Sequence, residues 1–196
     1  SRAIGLAAAT LAATLGAVVV SVVTLLPLTV AGSVNARLFP IAGANLQVAR
    51  RLAGGRLQGR TLVLYTRAHP LALREAAVIA YNLRQLGAEL EIKAFATPVL
   101  YEKLNTPCEP WDLTGTLIWL DDNPDPYNFL GPLFASPPGA DSAYVTGFAD
   151  RNWLRRLRAA DRLRGRARTE ALGRLEVELM RDHVPVAPVL ATKGLR

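Results

Sequence analysis

Strand-forming and helix-forming stretches alternate along residues 45–120. Three runs rich in aliphatic, aromatic and β-branched residues predict strands: Thr61–Tyr65, Glu89–Phe95 and Leu113–Leu120. Apolar residues at helical spacing predict three helices: Leu46–Leu52 with Asn45 as cap, Pro70–Gly87, and Thr97–Leu104 with Thr97 as cap. Short connections in the order strand, helix, strand, helix, strand predict a mostly parallel sheet covered by helices, an α/β fold.

The hydrophobic pattern also predicts which positions of these elements are buried. The polar and apolar residues of Glu89–Phe95 alternate, as expected for a half-buried strand. The apolar face of the Pro70–Gly87 helix is predicted to consist of Leu73, Ala76, Ala77, Ala80, Leu83 and Leu86.

The second half of the chain is predicted to be a loop followed by two helices. Residues Gly131–Gly147 hold three prolines and three glycines, which predicts a loop. Helices are predicted at Asn152–Leu163 and Arg166–Asp182, and the proline-containing Val184–Leu190 segment is predicted to lie at a sheet edge. Without an internal repeat or a low-complexity linker, the chain is predicted to form one domain.

The most informative segment is the acidic turn Asp121–Pro126, which follows the predicted strand Leu113–Leu120 directly. Its two prolines prevent the strand from continuing, so three carboxylates and Trp119 are concentrated where a buried strand reaches the surface. Ligands of open α/β sheets commonly bind just beyond strand ends. This turn is therefore the first candidate site.

Three kinds of chemistry compete for this turn. Asp121, Asn123 and Asp125 occupy the first three ligand positions of an EF-hand loop, but Pro126 and Pro132 occupy the positions of its glycine and bidentate glutamate, which excludes calcium of that type. A catalytic carboxylate pair stays open in principle, because sequence neighbours do not establish a separation. An acidic turn whose side chains accept backbone amides is favoured on turn statistics.

The chain carries a net charge of +7, and arginines are concentrated at Arg151–Arg174. Nine arginines there indicate nucleic acid as one possible partner. Leucines at helical spacing and glutamates are interleaved with them: Leu154, Leu157, Leu172, Leu175, Leu179, Glu170, Glu176 and Glu178. Because Trp153 is the only aromatic residue of this stretch, a solvated amphipathic helix pair is favoured and no nucleic-acid partner is predicted.

The residues that carry enzymatic chemistry are few. Cys108 is the only cysteine, which excludes an intrachain disulfide and a multi-cysteine metal site. His69 and His183 lack metal-ligand spacing, and a nucleophile–base pairing of either with Cys108 stays open, although nothing in the sequence positions it. The Ala53–Arg60 segment lacks the ending of a phosphate-binding loop. The chain is therefore predicted to be no enzyme and to bind neither cofactor nor metal.

The first residues allow two interpretations. No charged side chain occurs from Ala3 to Asn35, and Ala3–Leu26 is long enough to span a bilayer. Against this, Ala, Gly, Thr and Ser make up much of the first half, and Pro27 with the run before it favours a packed connector. On length alone the two interpretations stay open.

The order of these segments resembles one known family. The most specific part begins at Trp111-Asp-Leu and runs from Trp119-Leu-Asp-Asp-Asn-Pro-Asp-Pro to Tyr127-Asn-Phe-Leu130, similar to the family pattern (F/W)DL…GW..DYPDP..FL. Further matching segments are Ser1–Gly16, Val22–Gly32, Ala36–Pro40, Asn45–Leu52, Thr61–Thr66, Ala76–Gly87, Glu89–Phe95 and Arg166–Pro188. The chain resembles the C-terminal lobe of the family 5 extracellular solute-binding proteins, the peptide- and nickel-binding receptors of ABC importers.

This resemblance implies a periplasmic-binding-protein-like (type II) lobe across residues 1–196, in which residues 1–35 form an apolar helix and connector packed in the lobe. It implies an ABC permease and a missing N-terminal lobe as partners, and a peptide or other small solute as ligand. It also implies a periplasmic or extracellular location, with membrane association through a lipid anchor or the permease.

The resemblance also implies roles for the acidic turn. In the peptide receptors an aspartate of this turn pairs with the α-ammonium group of the peptide, and the matching position is Asp122. Trp119 would then wall the pocket, Asp121 or Asp125 would brace the turn, and Asn123 completes the predicted ligand-binding set. Two alternative functions are a protein anchored in the membrane through residues 3–26 and an effector-sensing module of a regulator that uses the same lobe.

Overall fold

The computed structural model describes residues 24–36, 38, 45–115, 119, 123–135, 148 and 150–187. Its helices are α1 Leu46–Ala53, α2 Pro70–Arg84, α3 Thr97–Asn105, α4 Pro126–Phe134, α5 Arg151–Asp161 and α6 Gly165–Glu178, and a π-helical turn, Leu179–His183, continues α6. Its strands are β1 Thr61–Arg67, β2 Glu89–Phe95 and β3 Leu113–Thr114.

The three strands form one parallel sheet in the order β2-β1-β3. β1 pairs with β2 along its whole length, from Thr61 opposite Glu89 to Arg67 opposite Phe95. β3 pairs with the middle of β1, where Leu64 lies opposite Leu113. Helices α2 and α3 follow β1 and β2 in the chain and pack back on the sheet, which confirms the predicted α/β class.

Local sequence signals explain where most helices begin. Asn45 Oδ1 accepts a hydrogen bond from the Val48 amide (3.1 Å), so Asn45 caps α1 as predicted. Pro70 occupies the first turn of α2, as predicted, and His69 Nδ1 accepts the Leu71 amide (3.3 Å). The predicted cap of α3 was wrong, because Ala96 precedes the helix without a side-chain hydrogen bond and Thr97 is already helical.

The buried face of α2 differs from the predicted face. Leu73 is 42% exposed and Ala77 is also exposed, whereas Ala76 and Leu83 are buried as predicted. The polar side chains of Glu75 and Asn82 lie on the buried face instead. The predicted face was wrong because it was chosen from apolar residues only. The buried stripe of the helix also contains these two polar residues.

Three other predicted elements differ from the structure over their described residues. The predicted loop at Gly131–Gly147 was wrong at its start, since α4 continues to Phe134 and the ring of Tyr127 fills the space beside Gly131. Of the predicted Leu113–Leu120 strand, Leu113–Thr114 pairs with β1 in the described part of the chain. Residues 116–118 and 120 lie outside the described residues. Val184 ends the π-helical turn in a left-handed conformation, and residues 184–187 form no strand.

The helices at the end of the chain pack around Trp153. The indole is 1% exposed, and its Nε1 donates to the carbonyl oxygen of Leu175 (3.1 Å). The predicted apolar stripe of these helices is confirmed, with Leu157, Leu172, Leu175 and Leu179 buried and Leu154 half-buried. This cluster includes Leu130, Leu133 and Phe134 of α4 and therefore positions the helix that follows the acidic turn.

A connector, residues 24–33, packs against α6. Leu26 and Val30 are buried and contact Phe129. The backbones of the connector and α6 are in direct contact at Gly32 and Gly173. A Cβ atom added at Gly173 would lie 1.8 Å from the carbonyl oxygen of Gly32. Among the described residues, no helix is long and apolar enough to cross a membrane.

A buried carboxyl group joins the connector to α6. Glu176 is fully buried, and its Oε1 accepts the amide of Leu25 (2.6 Å), whereas its Oε2 has no hydrogen-bond partner. Burial raises the pKa of Glu176 to about 7, opposed by the amide hydrogen bonds of Leu25 and Leu26. Glu176 therefore lies on the buried face of the amphipathic helix pair.

Candidate functional site

The carboxyl ends of the parallel strands lie on one edge of the sheet. β1 ends at Thr66-Arg67 and β3 at Thr114, and the Gly115 amide donates to the Tyr65 carbonyl oxygen (2.9 Å). In the sequence, Trp119 and the acidic turn follow β3. This edge is where the sequence predicted a ligand site.

Trp119 packs against the connector and α4. Its ring is half-buried and packs against the cluster of Leu26, Val30 and Phe129. The side chain is therefore supported from behind by apolar contacts, while part of it is exposed.

The described part of the acidic turn is built by backbone and side-chain hydrogen bonds. Asn123 is exposed, and its carbonyl oxygen accepts the Asp125 amide (2.8 Å). Asp125 Oδ1 accepts the Tyr127 amide (2.8 Å), so Asp125 caps α4 while Pro126 occupies its first turn. Asp121 and Asp122 lie outside the described residues, so their roles stay predictions.

Arg168 of α6 holds this cap in place. Its Nη1 and Nη2 donate to Asp125 Oδ2 (2.6 Å) and Oδ1 (3.1 Å), and Nη2 also donates to Asp161 Oδ1 (2.7 Å). The bidentate hydrogen bonding to Arg168 lowers the pKa of Asp125 and raises that of Arg168. Sequence reasoning missed Arg168, because nothing local distinguishes it from the neighbouring arginines.

Removing this bridge is expected to weaken the turn. Arg168→Gln should lower the free energy of unfolding by about 1 kcal/mol, a modest value because all three side chains are partly solvated. Urea denaturation measures this change. Arg166→Gln is the matched control on the same helix, since the Arg166–Glu170 pair is exposed and its loss should be undetectable. Equal effects of the two substitutions would contradict a bracing role for Arg168.

Two side-chain atoms at the end of β1 lack hydrogen-bond partners among the described residues, and a buried carboxyl group lies on α2. Thr66 Oγ1 and Arg67 Nε are buried and unpaired. Glu75 of α2 is 6% exposed, and burial raises its pKa to about 7 while the charge of Arg67 opposes the shift. Sequence reasoning missed Glu75 because it falls outside the predicted apolar face.

The other candidate residues do not form a reactive or metal-binding group. Within the described ranges, no cluster of three or more His, Cys, Asp or Glu side chains is suited to a metal ion. Cys108 is exposed, His69 caps α2, and His183 stacks edge-on against Phe148. These contacts assign local structural roles to both histidines.

No protein-family model matches the sequence, and no curated protein matches it. The structure resembles the murein tripeptide-binding protein MppA of Escherichia coli, with a TM-score of 0.76 and 19% identity over 96% of this chain and 39% of that chain. It also resembles the ABC transporter-associated periplasmic binding protein DppA of Helicobacter pylori, solved in complex with the peptide STSA, with a TM-score of 0.77 and 17% identity over 96% of this chain and 37% of that chain. This chain has the fold of a lobe of these binding proteins.

The structure also resembles HbpA2 of Haemophilus parasuis, with a TM-score of 0.75 and 20% identity over 95% of this chain and 38% of that chain. The lobe therefore spans less than two-fifths of the length of each of these three relatives. Two of the three are binding proteins by their descriptions, not enzymes.

Proposed function

We propose that this lobe is part of the substrate-binding component of an ABC importer, which binds peptide-like solutes in a cleft between two lobes and delivers them to a permease. The observation that carries the proposal is the match of nearly the whole chain to peptide-binding proteins of more than twice its length. The second lobe, the permease and a periplasmic or extracellular location are parts of the same proposal. Closure of two lobes around a ligand is a common mechanism of such receptors.

The architecture of the sheet edge supports the proposed cleft. Parallel strands end together there, Trp119 lies half-buried on apolar support, and Arg168 braces the turn through Asp125. A rigid turn can hold a carboxylate at a defined place, which a buried ammonium group requires as a counter-charge. In the proposal Asp122 supplies that carboxylate, Trp119 walls the pocket, and Asp121 and Asn123 shape the turn.

Titration calorimetry with short peptides tests the assignment of Asp122 in the full-length receptor that contains this lobe. Asp122→Asn should weaken binding on the order of 30-fold, since it removes one partner of a charge pair that is desolvated in the cleft. Glu102→Gln is the matched control, because Glu102 is an exposed carboxylate of α3 that forms no ion pair among the described residues.

An N-acetylated peptide provides the second half of the test. Acetylation removes the ammonium charge, so it should weaken binding to the unmodified receptor and have little further effect on the Asp122→Asn variant. Independent, additive effects would contradict the pairing of Asp122 with the ammonium group. Absence of peptide binding to the unmodified receptor would contradict the proposed ligand class itself.

The described residues offer no specific support for the two alternative functions. The end of the 3–26 segment is described from Thr24, where Thr24 and Leu26 are buried against the lobe. Such burial is the arrangement expected of a packed connector.

A further inference from the structure

Three arginines of α5 and the arginine that directly follows the helix form one exposed stripe. Arg151, Arg155, Arg158 and Arg162 are all exposed. At 100° per residue their directions fall within an arc of about 60°, and they span about 16 Å along the helix axis. The opposite face of the helix is buried through Trp153, Leu157 and Ala160. The orientation of α5 is therefore set by the core, and the stripe faces outward. We call these four residues the arginine stripe.

The arginine stripe has no acidic partner in the described part of the chain. None of its members takes part in an ion pair there, and Arg155 donates only to the neutral Asn152. The acidic residues at the two ends of α5 are engaged elsewhere, because Asp150 Oδ1 accepts the Trp153 amide and Asp161 pairs with Arg168. Within the described ranges, no acidic side chain compensates the positive charges of the stripe.

Other arginines of the same helix pair behave differently. Arg156 pairs with Glu178 across the two helices, and Arg168 bridges Asp125 and Asp161. The sequence interpretation treated all these arginines alike, but the structure separates bridging arginines from the unpaired stripe.

The surface along the stripe suits a dense array of phosphates better than a protein anchor or the stacked bases of a single-stranded nucleic acid. An open groove of about 480 Å³ runs along it, lined by Arg151, Leu154, Arg155, Arg158, Ala159 and Arg162. This lining holds no aromatic side chain, whereas single-stranded nucleic-acid sites rely on aromatic stacking platforms and protein hot spots combine arginine with tryptophan and tyrosine. A planar anionic surface needs only accessible charge, and the guanidinium group binds phosphate oxygens in a bidentate manner.

We propose that the arginine stripe docks this protein on the phosphate headgroups of an anionic lipid membrane. The contact is electrostatic and reversible, since four arginines without an apolar anchor give weak, salt-sensitive attachment. This membrane contact goes beyond the proposed solute-binding function and does not depend on that function.

Sedimentation with lipid vesicles tests the proposal on the full-length protein that contains this chain. Vesicles of phosphatidylcholine with phosphatidylglycerol should bind the protein at low salt, and vesicles of phosphatidylcholine alone should not. Replacing Arg151, Arg155 and Arg158 with Gln should reduce the partition coefficient on the order of 100-fold. The triple replacement by Lys should largely retain binding, because it keeps the charge.

A second triple variant controls for net charge. Arg51, Arg60 and Arg74 are exposed and form no ion pair in the described ranges, so replacing them with Gln removes the same charge from other surfaces. This variant should bind the anionic vesicles nearly as well as the unmodified protein. Equal losses in the two Gln variants, or absence of binding to anionic vesicles, would overturn the proposal. Stripe-dependent binding of RNA or of an acidic peptide without vesicle binding would also overturn it.

Discussion

Replacing Gly173 with alanine is expected to lower the free energy of unfolding by about 3 kcal/mol. The new Cβ atom would lie 1.8 Å from the carbonyl oxygen of Gly32 and would therefore push the connector away from α6. Helix propensity alone predicts the opposite sign, since alanine stabilises a helix interior by about 1 kcal/mol over glycine. The two expectations differ in direction, so urea denaturation of the single variant separates them.

Gly165→Ala is the matched control for this prediction. It introduces the same methyl group on the same helix, where no atom lies within 4 Å of the new Cβ. Its backbone φ of +53° leaves only a conformational cost of about 1 kcal/mol. A stabilising effect of Gly173→Ala would show that the connector does not approach α6 this closely.

Glu176→Gln is expected to remove a large part of the pH dependence of stability. Both Glu176 and Glu75 have a folded-state pKa raised from 4.5 to about 7. Between these pH values the folded state holds more protons than the unfolded state, so stability falls as the pH rises from 4.5 to about 7 and is then constant. Each carboxyl contributes up to about 3 kcal/mol to this fall.

The glutamine variant should match the unmodified protein below pH 4.5, where both side chains are neutral, and should be more stable above pH 7. Urea denaturation across this pH range measures the difference. Glu75→Gln should remove a similar share, whereas Glu170→Gln should leave the slope unchanged, because Glu170 is on the same helix but pairs with Arg166 in solvent. A slope that survives both the Glu176 and Glu75 substitutions would contradict the raised pKa values.

Elements with strong local signals agreed between sequence and structure. β2 was predicted with its observed bounds, and Asn45 and Pro70 marked the starts of α1 and α2. The ends of the other elements agreed less well. At Gly131–Phe134 the helix is supported by the Asp125 cap and by the packing of Leu130, Leu133 and Phe134. Contacts from distant parts of the chain decide such positions, so local propensity does not reveal them.

The place of the candidate site stays a prediction from the sequence, whereas the bracing of its described part came from the structure alone. The predicted position rests on a strand-forming run that is followed by two prolines, a signal contained in a few neighbouring residues. Its brace is Arg168, which lies 43 residues away from Asp125 in the chain. The sequence does not distinguish Arg168, which bridges two aspartates, from the exposed Arg166 of the same helix, because both are arginines with similar neighbours.

The sequence by itself determined the order of strands and helices, the α/β class and the acidic turn after the predicted third strand. These features depend on side-chain periodicity and on proline, which act within a few residues. Only the tertiary structure decided that Glu75 and Glu176 are buried, that Gly32 meets Gly173, and that the arginine stripe has no ion-pair partner among the described residues. Burial and pairing depend on which distant surfaces meet when the elements pack, and that information does not reside in any local stretch of the chain.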